Sequence, residues 1–238
     1  MKKDNQYYQE KAYINAVIMT SPKRREYTDA LMQKFSDMAE AEEFDFIDYT
    51  FIEDNGGGEW ATGVRAWLEV ADPSKSDWSL VIQDDAIISD RFYWNLHNLL
   101  KHAPNCPISL YTGSVCPMEG LVARAVAQAR VHHLDFMIHD DLLWGVGLLV
   151  PTYMVKDMIN TVDTDEYQNL LYDRRLGAYF KKKDIPIYYT LPSLVDHNFT
   201  IPSITGHDTD KRARKAVWYD PGLVTEWHWG NYVDIRNQ

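Results

Sequence analysis

The chain of 238 residues carries 35 Asp and Glu against 24 Lys and Arg, a formal charge of −11, with 45% hydrophobic residues. Length and composition suit one α/β domain that buries its own core. The acidic balance argues against a broad basic face laid on nucleic acid, while leaving room for a local basic groove. Two cysteines, Cys106 and Cys116, exclude a disulfide framework and a cysteine-ligated zinc centre, and as unpaired thiols they suit a reducing compartment.

Met1 to Lys11 is polar where a secretory signal would be apolar. No run reaches the roughly 18 apolar residues of a membrane span, so a cytoplasmic location is expected. Tyr13 to Met19 reads as a buried first strand bounded by Thr20-Ser21-Pro22. Lys23 to Ala39 carries a helical stripe of Tyr27, Leu31, Phe35 and Met38. Asp45 to Ile52 is a second strand, followed by the flexible turn Asp54-Asn55-Gly56-Gly57-Gly58 and a helix over Glu59 to Ala71. Trp78 to Ile82 is an apolar strand that stops at Gln83-Asp84-Asp85. A helix over Arg91 to Lys101 and a strand over Ile108 to Tyr111 follow, and Ala123 to Val131 fits either a strand or a helix.

Leu142 to Val150 is apolar and interrupted by glycine. Helices are expected over Pro151 to Val162 and Tyr172 to Lys183, with a strand at Ile185 to Thr190. The tail from Ile201 shows little regular patterning. The alternation of strand and helix in the first half predicts a mostly parallel sheet flanked by helices.

Asp84 and Asp85 follow a buried strand, at the sheet edge where ligands of open α/β folds bind. Adjacent carboxylates repel unless a cation or hydrogen-bond donors compensate them. Two readings fit: an acidic first turn of a helix, or oxygen ligands for Mn²⁺ or Mg²⁺ with a diphosphate as co-ligand.

The segment Gln83-Asp84-Asp85-Ala86 resembles the acidic DXD-type motif of GT-A-fold glycosyltransferases, as found in poorly characterised bacterial and phage enzymes with QDD or EDD motifs. The resemblance runs in order through Met19-Thr20-Ser21-Pro22, Glu59-Trp60, Arg65-Ala66-Trp67, Trp144-Gly145-Val146-Gly147, Asp173 and Pro192-Ser193-Leu194-Val195-Asp196-His197. Gln83 stands where a DXD motif has its first carboxylate, which leaves Asp85 as the metal ligand and Asp84 to hold the ribose or support Asp85. The resemblance implies a single GT-A-like domain. Its parts are a tail (1–11), a nucleotide-sugar half (12–118), an acceptor half (119–200) and a C-terminal segment (201–238) able to act as a lid.

It also implies a cytoplasmic, metal-dependent transferase, in the host cell if phage-encoded, that takes a nucleotide-sugar, foremost a UDP-sugar. The acceptor is either a hydroxylated base in phage DNA or an envelope saccharide. Within it, Thr20 and Ser21 meet the nucleotide or cap a helix, and Arg24 or Arg25 meets phosphate or stays solvated. Arg65 meets phosphate or forms a structural ion pair. Trp144 and Gly145 line a sugar pocket or pack as a strand.

Asp173 is the general base toward the acceptor hydroxyl or a helix cap, with Asp140 in reserve. His197, 112 residues after Asp85, is the third protein ligand of the metal, with Asp196 positioning it, or a lone histidine without that role. Arg212, in the basic island Asp210-Lys211-Arg212-Ala213-Arg214-Lys215, is a lid residue over the diphosphate or part of a solvated face. The rival readings are an inactive interaction protein on the same fold and a metal-dependent phosphodiesterase or nuclease. The latter requires a second metal's worth of clustered ligands, which the motifs do not supply.

Overall fold

The computed structural model describes residues 12–42, 46–201, 214–222, 224 and 226–236. Its elements run β1 (Ile14–Thr20), α1 (Arg25–Glu42), β2 (Ile47–Glu53), α2 (Gly58–Glu69), β3 (Trp78–Gln83), β4 (Ala86–Ile88), α3 (Phe92–Leu100) and β5 (Ile108–Ser109). They continue with α4 (Glu119–His132), β6 (Phe136–His139), β7 (Gly147–Pro151), α5 (Thr152–Val162), α6 (Tyr172–Lys182), β8 (Ile187–Thr190), β9 (Val195–His197) and β10 (Tyr232–Asp234).

Eight strands form one sheet in the order β10-β6-β8-β5-β7-β3-β1-β2, and β4 and β9 form a separate ribbon. The strands β1, β2 and β3 lie where the sequence predicts strands, and they pair in parallel with β1 in the middle. This half matches the expected βαβ pattern. In the other half β7 runs antiparallel to both β3 and β5, and β6 antiparallel to β8, while β5 pairs in parallel with β8 and β10 with β6. Most pairings between neighbouring strands of this sheet are therefore parallel, with antiparallel ones confined to this half.

Strands β6 and β7, joined by residues 140–146, share one direction: both run opposite to β8 and β5, which stand between them in the sheet. Only the second part of the apolar run Leu142 to Val150 pairs as a strand.

The stretch over Ala123 to Val131 is helical, within α4. Its buried face is Val122, Ala125, Val126 and Ala129, the spacing of a helix and not of a strand. Helices flank the sheet: α1 packs with α3, and α5 packs with both α2 and α6. The core is continuous, from Val17, Leu80 and Val81 on the central strands to Phe35, Trp67, Phe92 and Phe180 on the helices.

Candidate active site

The register of β1 and β3 places Met19 opposite Gln83, so Thr20-Ser21 and Asp84-Asp85 leave the sheet at the same edge. The chain then turns into β4, which pairs with β9 so that Ala86 faces His197. The Asn198 amide donates to the Asp85 carbonyl at 2.7 Å. Residues far apart in sequence thereby meet: His197 Nε2 lies 3.4 Å from Asp85 Oδ2.

Asp84 and Asp85 are both buried, and each carboxylate has its own set of partners. Asp84 Oδ2 accepts from Thr20 Oγ1 at 2.8 Å and from the Ser21 amide at 3.3 Å. Arg24 Nη1 donates to Asp84 Oδ1 and Asp85 Oδ2, at 2.8 Å each. Burial would raise both carboxyls. In Asp85 the hydrogen bond from His197 and the charge of Arg24 outweigh it and hold the group below the usual range. In Asp84 burial prevails over Arg24 and Thr20, and the carboxyl lies above its usual range. Asp85 Oδ1 and His197 Nδ1 are among the buried polar atoms that have no hydrogen-bond partner within the described residues.

These groups line a cavity of about 470 Å³, a size suited to a small organic ligand. Glu59 enters it from the first turn of α2. Burial raises the Glu59 carboxyl, and the negative charges of Asp173 and Asp85 add to that. The turn before Glu59 is organised by Asp54 Oδ1, which accepts from the Gly56 and Gly58 amides and from Thr62 Oγ1. Gly56 and Gly58 have φ of 97° and 81°, a backbone that glycine adopts without strain.

Asp173 enters from the first turn of α6, and its Oδ1 accepts from the Arg174 amide at 2.7 Å. Its neighbour Tyr172 fixes that helix start. The Tyr172 ring is clamped between two glycines: an added Cβ would come within 2.4 Å of it at Gly63 and 2.9 Å at Gly145. Trp67 Nε1 donates to the Tyr172 hydroxyl at 2.8 Å.

Of the residues expected from sequence, Thr20, Ser21, Arg24, Asp84, Asp85, Trp144, Gly145, Asp173 and His197 all line this cavity. Several have a different local role from the one expected. Thr20 is neither a cap nor exposed, since its hydroxyl donates to Asp84; Ser21 caps the following 3₁₀ turn. Arg24 lines the cavity as the counter-ion of the acidic pair. Arg25 pairs with Asp29 and Glu53.

Trp144 is 9% exposed and donates from Nε1 to the Val115 carbonyl, with Tyr111 and Tyr189 edge-on to it. It belongs to the core and also lines the cavity. The missing Cβ of Gly145 makes room for Tyr172.

Arg65 lies outside the cavity lining and donates from Nη2 to the Glu53 carbonyl, because its place on α2 turns it toward the end of β2. Asp140 is also outside the lining. Its side chain is 41% exposed and lies 3.9 Å from Arg236. The Asp196 carboxylate accepts from the His197 and Ala216 amides, so it braces the backbone and not the imidazole. Arg212 and most of the expected lid lie outside the described residues, while Arg214 lines the cavity. Glu59 and Tyr172 are the site residues to which sequence reading gave no role. A glycine-rich turn followed by an acidic first helical turn was the available signal for Glu59.

Asp85 and His197 offer one hard oxygen and one imidazole nitrogen side by side, and each retains an unpartnered buried atom. That donor pair fits a divalent ion of the Mn²⁺ or Mg²⁺ type. Among the described residues no group of three His, Cys, Asp or Glu converges on a metal position, so such an ion would complete its shell from the substrate. No helix among the described residues is long and apolar enough to cross a membrane.

No protein-family model matches the chain, and no curated protein matches it. Solved structures similar to it include the catalytic domain of Drosophila β1,4-galactosyltransferase 7 in complex with xylobiose. That match has 9% identity and a TM-score of 0.46, covering 84% of this chain and 74% of that one. Another is a mutant of Drosophila β1,4-galactosyltransferase 7 in complex with manganese, UDP-Gal and xylobiose. It has 10% identity and a TM-score of 0.46, covering 90% of this chain and 83% of that one.

Proposed function

We propose that this chain is a glycosyltransferase that moves a sugar from a nucleoside-diphosphate sugar, with a UDP-sugar as donor, to an acceptor hydroxyl. The observation that carries this reading is the Asp85–His197 pair at the carboxyl edge of β3, opening on a cavity bordered by Glu59 and Asp173. That arrangement supports the GT-A resemblance of the sequence: an acidic pair at the end of a buried strand, with a histidine and a helix-borne carboxylate facing it.

Asp85 and His197 would hold the divalent ion, and the ion would neutralise charge on the departing diphosphate. Ser21, beside the end of β1, offers a hydroxyl toward the nucleotide. Asp173 takes the acceptor proton as the acceptor oxygen forms its bond to the anomeric carbon. The bond from that carbon to the diphosphate oxygen breaks in the same displacement, with inversion. The first-turn position of Asp173 sets its negative charge against the positive end of the α6 dipole.

For the acceptor we favour a saccharide over a modified DNA base. Asp54, Glu59 and Asp173 all line the cavity and repel a phosphodiester backbone, and the net charge of −11 acts in the same direction. The test is donor hydrolysis screened over nucleotide-sugars with Mn²⁺ or Mg²⁺. Slow metal-dependent release of one sugar would identify the donor, and no release from any donor would count against the reading. Binding to hydroxylated duplex DNA that weakens steeply with salt would reverse the choice of acceptor.

A further inference from the structure

Arg24 has a role that the transfer reaction itself does not require. It is 8% exposed and lies against the acidic pair, with Nη1 at 2.8 Å from Asp84 Oδ1 and from Asp85 Oδ2. Its position is set by the short helical turn after β1, which Ser21 caps, so the guanidinium belongs to the fold. The two carboxylates and Arg24 together carry one net negative charge. A divalent ion arriving at Asp85 and His197 would meet that single charge and a like-charged neighbour within a few ångströms. Asp85 Oδ1, in a residue 6% exposed, is buried without a hydrogen-bond partner and is the carboxylate oxygen that Arg24 does not contact.

We propose that Arg24 is a resident cation that makes metal binding conditional on the nucleotide: the site takes a divalent ion weakly alone and firmly with a diphosphate. This rests on the metal reading above and deepens it, because it assigns Arg24 as the residue that sets the order of binding. The diphosphate adds the negative charge that Arg24 cancels. By linkage, metal and diphosphate must then raise each other's affinity by the same factor. Arg24 is here a positioning and charge-setting residue, with no contact to the reacting atoms.

The experiment is a Mn²⁺ titration of the full chain followed by the electron paramagnetic resonance signal of free Mn²⁺. It is run with and without UDP, with the chelation of Mn²⁺ by UDP itself subtracted. Wild type should take up Mn²⁺ at least about tenfold more tightly with UDP than without. Arg24→Met should raise affinity for Mn²⁺ alone by about tenfold or more, the scale expected for removing one nearby like charge. Arg24→Lys retains the charge and should stay near wild type, which separates charge from loss of packing.

Tight uptake of Mn²⁺ by wild type without UDP would overturn the inference and leave the metal reading standing. So would an Arg24→Met variant with unchanged or weaker affinity for Mn²⁺. If Arg24→Met fails to fold, the wild-type and Arg24→Lys titrations decide, with tight uptake by either one alone overturning the proposal. No uptake with or without UDP would overturn the inference and the metal reading together.

Discussion

Glu59 and Asp173 face one cavity from the first turns of two different helices. The Glu59 carboxyl is raised by burial and by the charges of Asp173 and Asp85. A carboxyl raised by folding stabilises the protein at pH below its unfolded value of about 4.3, and that contribution is lost as pH rises through the folded value. Glu59→Gln mimics the neutral form. It should therefore melt higher than wild type at pH 7 to 8, with the difference closing near pH 4. Melting curves across that range test it, and a constant difference at every pH would contradict it.

Asp173→Asn should lower transfer by about 100-fold or more, the usual scale for losing a general base, while the UDP dissociation constant stays unchanged. If Asp173 serves only the helix start, the same variant loses about 0.3–1 kcal/mol of stability and retains kcat. Measuring kcat, UDP affinity and Tm on one preparation separates the two.

At the scale of elements, the start of α6 is held by the Tyr172 ring between Gly63 and Gly145, with Trp67 bonded to its hydroxyl. Gly145→Ala puts a methyl where only 2.9 Å separates it from the ring. Overpacking of this kind costs about 1–3 kcal/mol, and chemical denaturation should show it. Transfer should fall more than UDP affinity does, because the carboxylate moved is Asp173 and not Asp85. Equal losses in both would sink this assignment.

The same clamp explains what the sequence hid. Trp144-Gly145-Val146-Gly147 reads as backbone open to a ligand, yet the ring that needs the space at Gly145 comes 27 residues later (172 − 145). The acidic pair was legible because a buried strand delivers it directly. The partners of that pair were less so. Arg24 and Thr20 turn inward only because β1 and β3 are neighbours in the sheet, a fact of pairing that periodicity does not carry.

Across the whole molecule, the far edge of the sheet depends on the C-terminal tail. Strand β10 pairs with β6, and Trp229 stacks on Phe136 with ring centres 4.2 Å apart, beside Trp227 at 5.4 Å. That tail looked unpatterned because three-residue strands are too short to show alternation. Trp227 is 6% exposed, so Trp227→Ala should cost about 3–5 kcal/mol, read as a lowered denaturation midpoint. Little change would show that the tail is dispensable to the fold.

The first half of the chain was legible as β-α-β-α-β, because β1 and β2 are each followed by an amphipathic helix and β3 is an apolar run. The second half was not, because the antiparallel entry of β7 is set by which neighbour it meets.

The central claim is that the β3 edge binds a nucleoside diphosphate through a divalent ion held by Asp85 and His197. Calorimetric titration of UDP into wild type, Asp85→Asn and His197→Ala, each with and without Mn²⁺, tests it most directly. Binding to wild type should require Mn²⁺ and should weaken in both variants while their melting curves stay cooperative. UDP binding that is the same with and without Mn²⁺, or metal-dependent binding undiminished in both variants, would contradict it.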